Sequence, residues 1–281
     1  MDITKLPAVT ARTTLVDKRL YKYRSLSDDK QKTRVKDILV NHRIRFSRLS
    51  ELNDPVEGKP ILQLGDWSSS DYRARFEDWV WSTQRHLANV PPKDAFIRWV
   101  RSLTKEQHEQ YVQQINADNH AAIEARWRIL SLSATPSQDQ MWSHYSDGHS
   151  GLALAFDVSH GEFGIAFKVH YVPKRVPMDV TTQNFTEVLN ATILTKRSTW
   201  AYEEEYRCIA TEQAEASLLQ LENQFMAFKP EQLVGIIFGA KTSQSDVDLV
   251  KGWIKDRPTQ IELSRAVINA AGAIELLQNA L

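Results

Sequence analysis

The chain has 281 residues, with Lys+Arg and Asp+Glu both totalling 35, so its formal net charge is zero. Hydrophobic residues make up 42% and charged residues 25%, which excludes an intrinsically disordered chain, since such chains combine low hydrophobicity with a charge excess. The zero net charge also argues against a general nucleic-acid binder, because basic residues that neutralise phosphates drive that kind of binding.

The ends of the chain and its cysteine content predict where the protein resides. Residues 1–19 contain no apolar segment of the secretory type, and no run of about 18 apolar residues occurs in the sequence. Cys208 is the single cysteine, so no intrachain disulfide can form. It lies in an apolar run, which predicts a buried thiol rather than a nucleophile. We therefore expect a cytoplasmic protein.

The N-terminal part of the chain alternates short strands with a helix. Residues 20–24 and 44–47 alternate in the manner of strands, and residues 32–41 have helical periodicity. The sequence Asn53-Asp54-Pro55 predicts a turn, because proline disfavours helical geometry in the residue before it.

Residues 66–128 have a different composition. Glycine is absent there, tryptophan recurs, and aromatic residues stand at helical spacing. This pattern predicts three or four helices inserted into a β-rich chain, with the aromatic side chains used for packing.

The remainder of the chain is rich in predicted strands with few β-α-β repeats. The predicted strands are 129–134, 152–158, 163–172, 206–211, 234–238 and 260–268, and the predicted helices are 187–195 and the segment from Ser243 to Ile254. This order indicates an α+β fold with a mixed, largely antiparallel sheet core. We expect an N-terminal arm at 1–19 and a single domain at 20–281 that carries the helical insertion 66–128.

Residues 141–152 form the most unusual stretch, Met-Trp-Ser-His-Tyr-Ser-Asp-Gly-His-Ser-Gly-Leu. Such crowding of aromatic, histidine and aspartate residues is typical of a functional site on a loop. One alternative is that Trp142 and Tyr145 simply anchor the loop to the core. Another is a metal site made of His144, Asp147 and His149, although their spacing matches no strong zinc signature.

A second candidate lies in residues 196–207. If residues 202–207 form a strand, Glu203, Glu205 and Arg207 share one face. One carboxylate could then polarise a hydroxyl or stabilise a developing positive charge, while Arg207 orients it. The alternative is a solvated strand edge with cross-strand salt bridges.

The first predicted strand supplies a third candidate. Tyr21 and Tyr23 are expected on one face, and Lys22 and Arg24 on the other. Arg24 is a candidate anion-binding residue, the alternative being a residue that merely ends the strand.

These motifs together resemble one bacterial family, catalogued as domain of unknown function 2971. The resemblance runs from about Leu20 to Gly239. It rests on Leu-Tyr-Lys-Tyr-Arg, Phe-Ser with Glu-Leu-Asn-Asp-Pro, the stretch 141–152, Trp-Ala-Tyr-Glu-Glu-Glu-Tyr-Arg and Ile-Ile-Phe-Gly. It does not cover residues 66–128, and the family name carries no activity.

The chain is also similar, more distantly, to ADP-ribosyltransferases. These carry an Arg or His on a first strand, a Ser or Tyr near a middle strand and a late Glu, often within Glu-x-Glu. The resemblance implies that NAD is the substrate and that no metal is needed. It implies that Glu205 stabilises an oxocarbenium-like cation and that Glu203 activates the acceptor, with Tyr145 and His144 as further catalytic residues. The residues implied to bind NAD are Tyr23, Arg24, Asn53, Trp142, Ser133 and Arg207. The family's Ser-Thr-Ser motif is missing, and Ser131-Leu132-Ser133 is a loose substitute.

The resemblance does not identify the acceptor. It suggests a toxin or phage-defence effector that has a partner protein or an antitoxin and no membrane partner.

Two other functions stay open. A metal-dependent nuclease would use Asp54 with Glu205-Tyr206-Arg207, in which Arg207 replaces the usual lysine and stays protonated. A non-enzymatic module would bind a ligand or partner through the tryptophan-rich helices and residues 141–152.

Overall fold

A computed structural model describes residues 10–54, 56–59, 61–86, 89–182, 185–211 and 219–278. Its helices are α1 Ala11–Thr14, α2 Asp29–Asn41, α3 Ser70–Gln84, α4 Lys93–Ser102, α5 Lys105–Arg126, α6 Asp139–Tyr145, α7 Phe185–Thr192 and α8 Gln244–Ile254. Its strands are β1 Arg19–Arg24, β2 Arg43–Arg45, β3 Leu62–Gln63, β4 Trp127–Ser133, β5 Leu152–Asp157, β6 Phe167–Lys168, β7 His170–Val172, β8 Met178–Asp179, β9 Thr195–Arg197, β10 Glu205–Thr211, β11 Phe225–Ala227, β12 Leu233–Phe238, β13 Glu262–Ile268 and β14 Ile274–Gln278.

Two compact units divide the chain. The sheet unit consists of the described residues within 8–55, 126–173 and 196–281, and the helical unit of those within 56–125 and 174–195. The expected arm at 1–19 with a single domain at 20–281 stays a prediction. Residues 1–9 of that arm, and Pro55 of the predicted turn, lie outside the described residues.

Within its described residues, the sheet unit contains an eight-stranded sheet in the order β14-β13-β12-β5-β1-β4-β10-β6. β12 and β13 are parallel, and the other neighbouring strands of this sheet are antiparallel. The predicted α+β class with a mixed, largely antiparallel sheet is therefore confirmed. The sequence missed β14, whose Leu276 and Leu277 are exposed and lack the alternation of a half-buried strand.

Side-chain alternation gives the sheet two different faces. On one face, which we call the α2 face, Leu20, Leu132 and Leu154 pack in one cluster with Ile38 of α2 and Val247 of α8. The amphipathic spacing of Val35, Ile38 and Leu39 explains why α2 covers this face. Cys208 is fully buried in the same cluster, and burial raises the pKa of its thiol to about 12. The predicted core thiol is confirmed.

On the opposite face, which we call the α6 face, Tyr21 and Tyr23 pack with Met141 and Trp142 of α6. The predicted separation of Tyr21 and Tyr23 from Lys22 and Arg24 is confirmed, since neighbours in a strand point to opposite faces. Directly opposed residues share a face, so the pairings of Ser133 with Tyr21 and with Glu205 place Glu205 on the α6 face.

Three local expectations were wrong. Residues 141–152 are only partly a loop, because α6 continues through Tyr145. Glu203 is not in the strand: it ends a 3₁₀ helix, Ser198–Glu203, and Glu204 then takes a left-handed conformation (φ 44°) before β10 begins. Residues 163–172 are likewise not one strand but a 3₁₀ helix, Glu162–Ile165, followed by β6 and β7.

The helical unit confirms the predicted helices between residues 66 and 128. A separate apolar cluster contains Phe76, Trp79 and Val80 of α3 with Phe96 and Val100 of α4. The helically spaced aromatic residues in this cluster are therefore used for packing, as predicted. Trp99 differs, since it is 46% exposed. The short strands β3 and β8 pair in parallel in the same unit. Within the part of the chain that the structure describes, no helix has the length and apolarity needed to span a membrane.

Candidate functional site

A buried lysine joins two carboxylates at the start of β10. The Lys196 ammonium donates to Glu203 Oε2 at 2.6 Å and to Glu205 Oε2 at 3.1 Å. All three side chains are about 5% exposed or less. Charged groups are rarely buried unless they are paired, and here each carboxylate has a cation within hydrogen-bond distance.

Glu205 is held on its other side by Arg207, which is fully buried. The guanidinium donates from Nε to Glu205 Oε1 at 2.8 Å and from Nη2 to Glu205 Oε2 at 2.9 Å. This is the planar two-point contact that fixes a carboxylate most firmly. Arg207 and Glu205 share a face of β10 as predicted, but β10 lies between β4 and β6, so the alternative of a solvated strand edge was wrong.

Helix α6 delivers the hydroxyl that reaches Glu203. Tyr145, in the last turn of α6, donates to Glu203 Oε1 at 2.6 Å, and its oxygen accepts from Asn53 Nδ2 at 2.9 Å. Asn53 is exposed and Tyr145 is half-buried. Tyr145 therefore connects the protein surface to a buried carboxylate. We call the connected set Tyr145, Lys196, Glu203, Glu205 and Arg207 the carboxylate cluster.

The two carboxylates of the cluster have pKa values shifted in opposite directions. Burial, with the nearby charge of Glu205, raises the pKa of Glu203 to about 7, although Lys196 and Tyr145 partly offset the rise. Burial also disfavours ionised Glu205, but the charges of Arg207 and Lys196 outweigh it and hold the pKa of Glu205 far below its usual range. Glu203 can therefore exchange a proton near neutral pH, while Glu205 stays ionised.

Aromatic and charged side chains surround the cluster at the surface. The half-buried Trp200 ring lies 4.9 Å from the Lys196 ammonium, in a cation–π contact. His144 Nδ1 lies 3.1 Å from the Tyr202 hydroxyl. Arg197 forms a two-point ion pair with buried Asp54, with both distances 3.0 Å, and its side chain stays 45% exposed. These groups could contact an aromatic or anionic ligand that approaches Tyr145.

Three of the residues expected to bind NAD are packing residues. Trp142 is fully buried, donates from its indole to the Pro136 carbonyl at 2.8 Å and meets the Tyr23 ring edge-on. The Tyr23 hydroxyl donates to the Thr135 carbonyl, and Ser133 Oγ does the same. These contacts favour the interpretation that Trp142 anchors this segment to the core.

Arg24 does not join the carboxylate cluster. It pairs with Leu152 and lies on the α2 face, whereas Glu205 lies on the α6 face. Its side chain lines a cavity with residues of α2 and β2. The sequence placed Arg24 and Glu205 on two strands, but it could not show which faces of the sheet they occupy.

The residues of the alternative metal site have other contacts. His144 contacts Tyr202, and His149 Nε2 lies 3.2 Å from Asp139 Oδ1. Asp147, Gly148 and His149 all have positive φ and form the turn after α6. Among the described residues, no group of three or more histidine, cysteine, aspartate and glutamate side chains is arranged to hold a metal ion.

Sequence reasoning missed three residues of the site. Lys196 bridges the carboxylates, the Tyr171 hydroxyl accepts from the Glu205 backbone N–H at 2.8 Å, and Ser131 hydrogen-bonds the Glu205 side chain. Lys196 lies in the same motif, seven residues before Glu203. A lysine so close in sequence to two glutamates could have been identified as their partner. Ser131 was noted only as part of Ser131-Leu132-Ser133, and Tyr171 carried no signal, because the proximity of both residues to Glu205 depends on strand order.

The fold and the cluster together define an α+β protein with a paired-charge site on one face of its sheet. Residues 141–208 match the family described as "Protein of unknown function (DUF2971)". This confirms, over those residues, the resemblance seen in the motifs, and the matched segment contains the whole carboxylate cluster. No curated protein and no solved structure shows a significant match to the chain.

Proposed function

We propose that the protein is an enzyme that cleaves NAD and transfers its ADP-ribose group to an acceptor, with the carboxylate cluster as its active site. The single observation that carries the proposal is the pair of buried carboxylates, Glu203 and Glu205, whose pKa values are shifted apart around one shared lysine. A pair separated in this way supplies both an exchangeable proton and a fixed negative charge.

The reaction assigns a separate role to each carboxylate. The bond between ribose C1′ and nicotinamide nitrogen breaks, and its electron pair leaves with nicotinamide. Glu205 is ionised but only 3% exposed, and Arg207 and Lys196 compensate its charge, so it does not act by contact with the resulting oxocarbenium-like cation. We class it as a positioning residue that holds Lys196 beside Glu203.

Glu203 receives the proton of the acceptor. The acceptor's oxygen or nitrogen attacks C1′, and its proton passes to the Tyr145 hydroxyl while Tyr145 passes its own to Glu203. The 2.6 Å contact between Tyr145 and Glu203 supports this relay, because proton transfer requires hydrogen-bond distance. Asn53 and His144 lie beside Tyr145, and Trp200 lies against Lys196. These three residues are proposed to contact NAD or the acceptor.

The test measures nicotinamide release and acceptor labelling from NAD by purified protein, with a cell extract supplying acceptors. We expect Glu203→Gln to lower the rate by about 100-fold or more, because general acid–base catalysis contributes on that order. Glu204→Gln is the matched control, since Glu204 is the exposed neighbour, and it should retain the wild-type rate. The proposal is wrong if wild-type protein releases no nicotinamide with any extract, or if both variants behave alike.

The nuclease alternative is supported less well. It needs Asp54 and Glu205 as metal ligands, yet both carboxylates form two-point ion pairs, with Arg197 and Arg207 respectively. Divalent-metal-dependent cleavage of nucleic acid that is lost in Asp54→Ala would favour it. A binding module without catalysis would keep its function in Glu203→Gln. The effector role and an antitoxin partner remain part of the proposal and depend on the activity.

A further inference from the structure

A second polar cavity lies on the α2 face of the sheet unit. Its volume is about 280 Å³, and four arginines line it: Arg24 from the end of β1, Arg34 from α2, and Arg43 and Arg45 from β2. Phe225 of β11 forms part of its wall. We call this cavity the arginine pocket.

The charges of the arginine pocket are only half compensated. Arg43 donates from Nε to both Asp37 oxygens, at 2.8 and 2.9 Å, and Arg45 donates to Glu51 at 2.8 Å. Among the described residues, neither Arg24 nor Arg34 forms a salt bridge with a carboxylate. The pocket therefore holds a surplus of about two positive charges.

The surroundings of Arg24 disfavour its positive charge. Its Nε is buried and has no hydrogen-bond partner within the described part of the chain. Burial, together with the charges of Arg34 and Arg45, lowers the pKa of Arg24 to about 10. A buried guanidinium N–H without an acceptor is unfavourable, and a bound anion would satisfy it.

We propose that the arginine pocket binds the dianionic phosphate group of a small phosphorylated molecule. The two guanidiniums without a carboxylate partner among the described residues match the two charges of a phosphate monoester, and the planar N–H fork of arginine matches its oxygens. The volume exceeds that of the phosphate group alone and leaves room for part of an attached sugar. Because Arg24 and Glu205 lie on opposite faces of the sheet, this site is separate from the carboxylate cluster.

Calorimetry of the full chain with inorganic phosphate, AMP and adenosine tests the proposal. We expect phosphate and AMP to bind with one site per chain and adenosine not to bind. Arg34→Gln and Arg24→Gln should each weaken AMP binding about tenfold or more, because each removes a charge-assisted contact. Arg34→Gln keeps the test valid if the more buried Arg24→Gln variant fails to fold.

Lys36→Gln is the matched control, since Lys36 is exposed on the same helix, carries the same charge and does not line the pocket. It should keep AMP affinity within about twofold. Binding of phosphate alone assigns the pocket to the free anion, and tighter AMP binding assigns it to a nucleotide. The proposal is overturned if neither phosphate nor AMP binds, or if Lys36→Gln weakens binding as much as Arg34→Gln. Glu203→Gln should bind AMP normally, which separates failure here from failure of the proposed enzyme.

Discussion

At the scale of single residues, the site depends on the different partners of two nearby glutamates. Glu205 has Arg207 and Lys196 as neighbours, whereas Glu203 shares Lys196 and, within the described part of the chain, otherwise receives only a tyrosine hydroxyl. Both are buried to the same degree, so the number of cations decides which one keeps its charge. The sequence Glu-Glu-Glu cannot reveal this difference, because Lys196 and Tyr145 reach the pair through the fold.

The raised pKa of Glu203 predicts a pH-dependent stability. In the unfolded chain Glu203 releases its proton near pH 4.5, whereas in the folded chain it does so near pH 7. At this residue the folded state therefore binds more protons between these values, and the contribution of Glu203 to the free energy of unfolding falls as pH rises from 4.5 to 7. We expect Glu203→Gln to remove a fall on the order of 3 kcal/mol.

Urea unfolding of wild type, Glu203→Gln and Glu204→Gln across pH 4 to 8 measures this contribution. The difference in unfolding free energy between wild type and Glu203→Gln should change across that window, while Glu204→Gln should follow the wild type. Parallel profiles for wild type and Glu203→Gln would contradict the raised pKa.

At the scale of elements, the turn after α6 determines the position of Tyr145 at the end of that helix. The residues Asp147, Gly148 and His149 are all left-handed, and the chain then enters β5 through Gly151. Two backbone hydrogen bonds close the turn, with the Gly151 N–H donating to the Ser146 carbonyl and the His149 N–H to the Trp142 carbonyl. The turn thus fixes the end of α6 against β5.

Two glycines of this turn should respond differently to alanine. A Cβ on Gly151 would lie 2.1 Å from the Arg24 carbonyl oxygen, a backbone atom that cannot move aside. A Cβ on Gly148 would meet nothing within 4 Å, and only its φ of +56° disfavours a side chain. We expect Gly151→Ala to destabilise the protein by about 3 kcal/mol and Gly148→Ala by about 1 kcal/mol. Chemical denaturation measures both, and equal losses would show that Gly151 is not closely packed.

Local patterns predicted the faces of β1 and the packing of the helices, because alternation and helical spacing are properties of adjacent residues. They did not predict that β10 is an interior strand. That position depends on pairing with β4, whose Trp127–Ser133 segment is more than 70 residues earlier in the chain. For the same reason the motifs of Arg24 and Glu205 suggested one site, while the strand order places them on different faces.

At the scale of the whole molecule, a zero net charge conceals a strong segregation of charge. The carboxylate cluster pairs two acids with two bases and is internally balanced. The arginine pocket on the other face has two arginines without a carboxylate partner among the described residues. Composition therefore excludes a uniformly basic binder but does not exclude a local anion site.

The arginine pocket also predicts which parts of the molecule a ligand stabilises. All the residues that line it belong to the sheet unit, although they come from distant segments of the chain. A ligand that binds only the folded state at about 100 times its dissociation constant adds about 2.7 kcal/mol to the free energy of opening. With AMP at that concentration, we expect slower hydrogen exchange in peptides from α2, β2 and β11, which form the pocket.

Peptides from α3, α4 and α5 supply the internal control, because no residue of these helices lines the pocket. Their exchange rates should not change with AMP, and Arg34→Gln should abolish the protection of α2 and β2. Protection that appears equally in α3 to α5, or that survives in Arg34→Gln, would place the ligand elsewhere. Since amide exchange follows local opening, the same experiment also maps how far stabilisation by the ligand extends from Arg24 along β1 into the sheet.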